Sequence, residues 1–198
     1  MSNFWDERFS SDEYIYGKEP NLFFKEQIDK LKPAKILLAG EGEGRNAVYA
    51  AEKGWEAYCI DSSIKAKEKA LALAEEKKVK INYEIHDLID FIPQKNFYQA
   101  AAIIFIHMPS SVRSFFHEKI IESLTPGGKI ILEAFDKSQL GNSSGGPKEI
   151  DLLYSTEILE QDFKGLKIEL LEKKRLMLAE GSHHKGEAVT VRMVAVKT

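Results

Sequence analysis

Short apolar runs alternate along the chain with longer segments in which apolar positions recur at helical spacing. Each run is only a few residues long and is followed by a polar or glycine-containing turn. This alternation is typical of βαβ units wound around a largely parallel sheet. The runs predicted as strands are 35–39, 55–60, 81–85, 100–106 and 129–135, and the segments predicted as helices are 46–53, 65–78, 112–124 and 156–163.

The pattern changes after the last of these helices. Two long strand-like stretches, 166–178 and 188–196, flank a turn that contains Glu180-Gly181 and the segment from His183 to Gly186. A hairpin of this kind places its two strands antiparallel. We therefore predict an α/β fold, a Rossmann-like, doubly wound, mostly parallel sheet of about seven strands, with the last strand antiparallel and helices on both faces.

The length of 198 residues fits one domain better than two. We predict a single domain over 1–198, in which an N-terminal segment of about 1–32 covers the binding site as a lid.

Composition and charge limit the class of partner. Hydrophobic residues make up 43% of the chain and charged residues 30%, as in an ordinary globular protein. The formal net charge of −3 argues against nucleic acid as a main partner. The acidic N-terminus lacks the pattern of a signal peptide, and the apolar run 100–106 is too short to cross a bilayer. With a single cysteine, Cys59, in an apolar run, these features predict a cytoplasmic protein without membrane contact.

The main chemical signal is a glycine-rich turn between a predicted buried strand and a predicted helix. Gly40, Gly42 and Gly44 occupy alternate positions, which lets the backbone approach a ligand where any Cβ would clash. The helix that follows offers unpaired N–H groups to a carboxylate or a phosphate. The alternative is a tight turn between strand and helix that binds nothing.

Two acids follow the next two predicted strands. Asp61 comes directly after the second strand, where a carboxylate can accept both hydroxyls of a ribose; its alternative role is to cap the following helix. Asp87 follows the third strand and can accept the exocyclic amine of an adenine, unless it is a solvated loop residue. Because the carboxyl ends of parallel strands meet at one edge of the sheet, the three places together predict a nucleotide-like ligand there.

The chain resembles the class I S-adenosylmethionine-dependent methyltransferases, and within them the small bacterial group related to tellurite-resistance and thiopurine methyltransferases. The spacing G-x-G-x-G followed by Arg45-Asn46 differs from the G-x-G-x-x-G of dinucleotide-binding folds. The resemblance covers nearly the whole chain. Its segments are 5–9, 14–17, 19–21, 42–47, His107-Met108-Pro109, 124–128, 145–148 and Glu180-Gly181 before His184.

The resemblance implies S-adenosylmethionine as the cofactor. Its methionine end would lie on the glycine loop, with Arg45 near the carboxylate. The alternative is that Arg45 is a solvated side chain in the first turn of the helix. The family usually has an acid where this chain has Leu38, and Glu41 in the same loop is a possible substitute. The residues expected to bind the cofactor are Gly40, Glu41, Gly42, Gly44, Arg45, Asn46, Asp61, Ser62, Asp87, Leu88 and Ile106.

The expected partner is a small-molecule methyl acceptor, bound to a monomer or a homodimer. A base is needed only if the acceptor arrives protonated, and His107 is the catalytic candidate, with a structural histidine at a strand end as the alternative. Tyr14, Tyr16 and His184 are expected near the substrate, although a histidine in such a turn is more often at the surface. Two adjacent histidines, His183 and His184, do not make a metal site, and none is predicted.

Two other functions stay open at this point. A nicotinamide-dependent oxidoreductase would use a similar sheet edge, but the chain has neither the dinucleotide glycine spacing nor a Tyr-x-x-x-Lys pattern. A protein that binds S-adenosylmethionine without catalysis is the other alternative, because Leu38 departs from the family pattern.

Overall fold

The computed structural model describes residues 2–198, with side chains from residue 4 onward. Its strands are β1 (Lys35–Ala39), β2 (Glu56–Asp61), β3 (Asn82–Ile85), β4 (Tyr98–Ile104), β5 (Leu124–Phe135), β6 (Lys167–Glu180) and β7 (His184–Val196). Its α-helices are α1 (Ser2–Arg8), α2 (Leu22–Ile28), α3 (Arg45–Glu52), α4 (Ile64–Glu76), α5 (Ser110–Ser123) and α6 (Thr156–Asp162), and short 3-10 turns lie at Lys137–Gln139 and Ile150–Leu152.

All seven strands belong to one sheet in the order β3-β2-β1-β4-β5-β7-β6. The pairs from β3 to β5 are parallel, whereas β7 runs antiparallel to both β5 and β6. The predicted fold class is therefore confirmed, including the antiparallel last strand. Although β7 follows β6 in the chain, it lies inside the sheet, and β6 forms the edge.

Apolar side chains cover both faces of the sheet. In β1, Leu37 and Ala39 belong to one buried cluster, while Ile36 and Leu38 belong to a second cluster on the opposite face. This alternation follows from strand geometry, in which successive side chains point to opposite faces. Helices pack over each face, so β1 and β4 carry mostly apolar side chains.

The structure corrects several predicted boundaries. Strand β4 ends at Ile104, and Phe105 then turns with φ of 54° while its N–H donates to the carbonyl of Glu133. Strand β5 begins at Leu124, with a register shift against β4, and is therefore longer than the predicted strand 129–135. The hairpin turn is shorter than expected, and His184 is the first residue of β7. The predicted lid segment contains the helices α1 and α2, which the sequence pattern did not indicate.

None of the helices within residues 2–198 is both long enough and apolar enough to span a bilayer.

Candidate functional site

The glycine loop follows β1 and is held by its own backbone. Gly40, Gly42 and Gly44 have φ values of 62°, 62° and 88°. The N–H of Gly40 donates to the carbonyl of Ile60 over 2.7 Å, and the N–H of Gly42 donates to Oδ2 of Asp61 over 2.9 Å. The hydroxyl of Tyr83 donates to the carbonyl of Gly42 over 2.7 Å. The ends of β1, β2 and β3 are thereby tied together at one edge of the sheet.

Side chains from three other segments lie directly against this loop. A Cβ on Gly40 would be 2.1 Å from Cδ1 of Ile106 and 3.4 Å from Cδ1 of Leu88. A Cβ on Gly42 would be 3.3 Å from the ring of Phe9, which follows α1. The structure therefore brings Ile106 and Leu88 to the glycine loop, as the sequence predicted, and Phe9 lies against the same loop from the N-terminal segment.

Asp61 ends β2 and is buried. Its Oδ2 accepts from the N–H of Gly42 and its Oδ1 from the N–H of Ser63, over 2.9 and 3.0 Å. Burial raises the pKa of Asp61, although hydrogen bonds from Ser63, Gly42 and Ser62 oppose that rise. Because an ionised carboxylate has about four acceptor sites, both oxygens can still accept hydroxyl groups. The alternative role of Asp61 as helix cap belongs instead to Ser63, whose hydroxyl accepts from Ala66.

Glu41 caps helix α3. Its Oε1 accepts from the N–H groups of Asn46 and Ala47, over 2.8 and 2.7 Å. Burial raises the pKa of Glu41 to about 7, against the lowering effect of these bonds and of Arg45. Leu38, where the family usually has an acid, is buried in the core. Glu41 therefore orders the loop and the start of the helix at this departure from the family pattern.

Arg45 and Asn46 face the N-terminal segment. Arg45 is buried, and its guanidinium lies 2.8 Å from Oε2 of Glu180 and 3.1 Å from the carbonyl oxygen of Tyr16. The Oδ1 atom of Asn46 accepts from the N–H of Asn21 over 2.9 Å. The alternative of a solvated Arg45 is therefore wrong. The two side chains hold the lid segment in place.

Asp87 forms a local turn after β3. Its Oδ1 accepts from the N–H of Ile89 over 3.0 Å, and the residue is half-buried. One carboxylate oxygen is thus engaged within the loop, while the neighbouring Leu88 lies against Gly40.

The contacts of His107, the predicted catalytic base, favour the structural alternative. Its Nδ1 lies 2.8 Å from the carbonyl of Leu152, so this nitrogen donates, and its Nε2 receives the N–H of Phe135 at 3.5 Å. The ring also stacks on Phe135, with centroids 5.6 Å apart. Burial lowers the pKa of His107 to about 4. With both nitrogens engaged by backbone groups, the imidazole fixes the exit of β4, which is the structural alternative.

The two lid tyrosines point in different directions. The hydroxyl of Tyr14 donates to the carbonyl of Lys69 in α4 over 2.9 Å, and its ring packs on Val48 and Leu73. Helix α4 thus holds the side chain of Tyr14 through its hydroxyl group. Tyr16 packs on His184, with ring centroids 4.6 Å apart.

His184 is surrounded by aromatic rings above the ends of β4, β5 and β7. Its ring centroid lies 4.5 Å from that of Phe105 and 5.3 Å from that of Phe135. A Cβ on Gly145 would lie 2.8 Å from Cδ2 of His184, so the loop between β5 and α6 closes against the same ring. His184 is buried, and the expectation of a surface turn histidine is wrong. We call Tyr16, Phe105, Phe135 and His184 the aromatic cluster.

Two buried acids join this region to the lid, and the sequence did not single out either as a site residue. Glu180 accepts from Arg45 and from Nδ2 of Asn21, over 2.8 and 3.0 Å. Glu133 accepts from the same Asn21 amide over 2.7 Å and from Thr190 and Arg192 over 3.0 and 2.7 Å. In the sequence, Glu180 was noted only as part of the Glu180-Gly181 motif of the family resemblance. Its partners are far away in the chain and could not be inferred from spacing.

Within residues 4–198 there is no group of three or more His, Cys, Asp or Glu side chains that could hold a metal ion.

Comparison with known proteins is consistent with this geometry. Residues 36–128 match the family described as a methyltransferase domain. Over 118 residues the chain is 26% identical to the 2-heptyl-1-hydroxyquinolin-4(1H)-one methyltransferase of Mycobacteroides abscessus, a stretch that covers 58% of the chain and 52% of that relative. The match therefore spans about half the length of this curated relative.

Two solved structures share the whole fold. TehB from Haemophilus influenzae has a TM-score of 0.75 at 14% identity, covering 100% of this chain and 67% of that one. The N-methyltransferase NodS from Bradyrhizobium japonicum WM9, solved in complex with S-adenosyl-L-homocysteine, has a TM-score of 0.71 at 11% identity, covering 99% of this chain and 97% of that one. At such identities the likeness shows the fold. Residues 36–128 therefore match a methyltransferase domain, and the described chain shares the fold of these two solved structures.

Proposed function

We propose that this protein transfers a methyl group from S-adenosylmethionine to a small organic acceptor. The observation that carries the proposal is the contact between the glycine loop and Asp61, in which the N–H of Gly42 donates to the carboxylate at the end of β2. This contact places a bare backbone and a buried acid side by side at the carboxyl edge of the sheet, where ligands of open α/β sheets bind. The match of residues 36–128 to a methyltransferase domain supports the same activity, and none of the comparisons supports a nicotinamide-dependent enzyme.

The residues present fit the cofactor. Gly40 leaves bare backbone against which only the apolar side chains of Ile106 and Leu88 pack, and a Cβ there would collide with Ile106. Apolar side chains of this kind suit the flat face of an adenine and the carbons beside a sulfonium. Asp61 keeps acceptor sites on both oxygens, which suit two neighbouring ribose hydroxyls.

When bound, S-adenosylmethionine supplies a methyl group on a positively charged sulfur that is already a good leaving group. In our proposal Asp61 and Ser62 hold the ribose, and Asp87 and Leu88 hold the adenine. The methionine end lies along the loop, with Ile106 beside the sulfur. The loop and helix residues proposed for the methionine end are Gly40, Glu41, Gly42, Gly44, Arg45 and Asn46.

The aromatic cluster is proposed as the acceptor site. Tyr16, Phe105 and Phe135 offer apolar ring faces next to the cofactor loop, which suits an organic acceptor with an apolar body. The relative from Mycobacteroides abscessus is named for such an acceptor, a heptyl-substituted hydroxyquinolone. Methyl transfer depends mainly on alignment of acceptor, methyl group and sulfur in a site without water.

We also propose a single domain over 1–198, in which the segment of about 1–32 acts as the lid. The hydrogen bonds from Asn21 to Asn46 and Glu180 support that role.

A cytoplasmic location is proposed from the single cysteine, Cys59, which is buried and unpaired. The proposed partner is the small-molecule acceptor, without nucleic acid, and the protein acts as a monomer or a homodimer.

Calorimetry with S-adenosylhomocysteine and, separately, with NAD tests the proposal. We expect the wild-type protein to bind S-adenosylhomocysteine and not NAD. Asp61→Ala should weaken this binding at least about tenfold, because hydrogen bonds to a charged acceptor are lost. Asp61→Asn keeps the shape of the side chain, and Asp12→Ala removes an exposed aspartate as the matched control. Unchanged affinity in both Asp61 variants, with native circular dichroism, would exclude the ribose role, and wild-type binding of NAD alone would exclude the proposed function.

A further inference from the structure

The two nitrogens of His184 have different surroundings. Nδ1 is sealed from solvent and lies 3.5 Å from Oε2 of Glu180, without a well-directed hydrogen bond. Within the described side chains Nε2 makes no hydrogen bond, and unlike Nδ1 it is not sealed. One nitrogen therefore faces a carboxylate, and the other is free of hydrogen bonds and not sealed from solvent.

The protonation of this pair follows from its contacts. Burial alone would raise the pKa of Glu180, but His184 and Arg45 outweigh burial and lower that pKa to about 2. Burial lowers the pKa of His184, and Glu180 opposes that shift. A neutral imidazole beside an ionised carboxylate carries its hydrogen on the nitrogen that faces the carboxylate, so Nδ1 is protonated and Nε2 holds a free lone pair.

We propose that His184 is the base that removes a proton from the methyl acceptor, and that Glu180 is its positioning residue. The inference rests on the proposed function and adds to it the class of acceptor. The acceptor is a neutral thiol or hydroxyl compound with an apolar body, whose S–H or O–H group meets Nε2 of His184.

The step balances without a further reactant. The acceptor's sulfur or oxygen forms a bond to the methyl carbon, the carbon–sulfur bond of the cofactor breaks with its electron pair left on sulfur, and the acceptor's proton passes to Nε2. Glu180 then faces an imidazolium, as a carboxylate stabilises one in other histidine-based sites. Since His107 has both nitrogens bound to backbone groups, His184 is the histidine of this edge with a nitrogen open to substrate.

The charges around His184 favour a neutral acceptor over an anion. Arg45 on α3, the cation of this group, is already paired with Glu180 on β6. The other titratable groups that face the ring are His183 in the turn, Tyr16 in the lid and the neutral His107 beyond Phe135. An anionic acceptor would enter beside an ionised carboxylate, whereas a neutral one meets ring faces and a lone pair.

Nitrogen-15 NMR of His184 tests the positioning role without turnover. We expect the wild-type ring to be the Nδ1–H tautomer at pH 7.5. In Glu180→Gln the pKa of His184 should fall further, because the carboxylate that opposes burial is gone. Glu180→Asp, which keeps the charge, should restore the pKa toward the wild-type value. An Nε2–H tautomer in the wild type, or a pKa that Glu180→Gln leaves unchanged, would overturn the pairing.

Turnover tests the base. The acceptors are benzyl mercaptan and 2-heptyl-1-hydroxyquinolin-4(1H)-one, which bring a proton, and 4-nitrothiophenol, which is already ionised at pH 7.5. We expect His184→Gln to lower kcat for benzyl mercaptan about 100-fold or more, with kcat for 4-nitrothiophenol changed only a few-fold. His183→Gln, the exposed neighbour, is the matched control and should be close to wild type for all three.

The outcomes separate this inference from the proposed function. A wild-type protein that fails to bind S-adenosylhomocysteine would exclude the function itself. A protein that binds it but turns over none of the three acceptors, or only 4-nitrothiophenol, would overturn the acceptor class. If His184→Gln lowers kcat equally for benzyl mercaptan and for 4-nitrothiophenol, the role of His184 as a base is overturned.

Discussion

The proposed cofactor half and the proposed acceptor half of the sheet edge are held together in different ways. In the cofactor half, Glu41 bonds to the N–H groups five and six residues later, and Gly42 bonds to Asp61 across 19 residues. In the acceptor half, Glu180 bonds to Arg45 across 135 residues and to Asn21 across 159. The first half is assembled from neighbours along the chain, and the second from segments near its two ends.

The difference has an energetic side. The cofactor half depends on backbone N–H groups of the glycine loop, which bond to Ile60 and Asp61 at the end of β2. The acceptor half depends on buried carboxylates that must keep several partners at once, because a buried charge without partners is costly. Single substitutions should therefore destabilise the acceptor half more than the cofactor half.

The largest effect is expected at Glu133, which is fully buried on β5 and accepts from Asn21, Thr190 and Arg192. Glu133→Ala leaves these donors, including a partly buried guanidinium, without their acceptor. We expect the free energy of unfolding to fall by about 3–5 kcal/mol, as for other broken buried ion pairs. Urea unfolding followed by circular dichroism measures this loss.

The control is Glu169→Ala on β6, which breaks the exposed ion pair of Glu169 with Lys129. Exposed pairs contribute about 1 kcal/mol or less, so this variant should be close to wild type. If Glu133→Ala and Glu169→Ala lower the free energy of unfolding by similar amounts, the long-range contacts of the acceptor half contribute no more to stability than an exposed ion pair does.

An intermediate effect is expected at Glu41 and should depend on pH. Its pKa is raised by burial from 4.5 to about 7 in the folded protein, so the folded state holds a proton that the unfolded state has released between these pH values. Wild-type stability should therefore fall as pH rises from about 4.5 to 7, by up to about 3 kcal/mol in total. Glu41→Gln keeps the acceptor oxygen for Asn46 and Ala47 and removes the charge, so it should be more stable than wild type above pH 7 and similar near pH 4.5.

Thermal unfolding at a series of pH values measures this difference. Glu52→Gln, at the exposed end of α3, is the matched control and should run parallel to wild type. A difference between Glu41→Gln and wild type that does not change across this pH range would contradict the assignment of a buried, protonated Glu41.

The smallest effect is expected in the cofactor half. A Cβ on Gly44 would lie 2.6 Å from Cβ and 2.8 Å from Cα of Ala70, which forces α3 and α4 apart. Gly44→Ala should therefore lower the free energy of unfolding by about 1–3 kcal/mol, the usual range for overpacking. Gly127→Ala has a similar left-handed φ of 79° but meets nothing within 4 Å, so it isolates the cost of backbone strain. If the two variants lose the same free energy of unfolding, the close packing of α3 and α4 at Gly44 contributes nothing to the loss.

The same contrast explains what the sequence could predict. The strands, the glycine loop and the acid after β2 follow from periodicity and from short spacings, and Leu88 and Ile106 follow from the strand ends. These are local patterns, and the structure brings them together as expected. The seven-stranded order with an antiparallel last strand was predictable because the hairpin and the βαβ alternation each restrict the topology.

The contacts that the sequence did not predict depend on long-range packing. Nδ1 of His107 bonds to the carbonyl of Leu152, which lies 45 residues further on, and the hydroxyl of Tyr14 bonds to the carbonyl of Lys69 in α4. His184 was expected in a surface turn because no pattern indicated that Tyr16 and Phe105 would cover it. Glu180 and Glu133 were missed because their hydrogen-bond partners come from distant segments of the chain, which the local sequence around each carboxylate does not indicate.

The interior position of β7 has a consequence for synthesis on the ribosome. Because β7 pairs with β5 on one side and β6 on the other, a nascent chain that ends before residue 184 presents the open edge of β5 with its apolar residues Ile130 to Leu132. Open apolar edges of this kind recruit other strands and aggregate. At about 5–20 residues per second, the 13 residues of β7 take about 0.7 to 2.6 seconds to make, and the exit tunnel adds further delay. Chaperones that shield strand edges should therefore matter most for this protein during that interval.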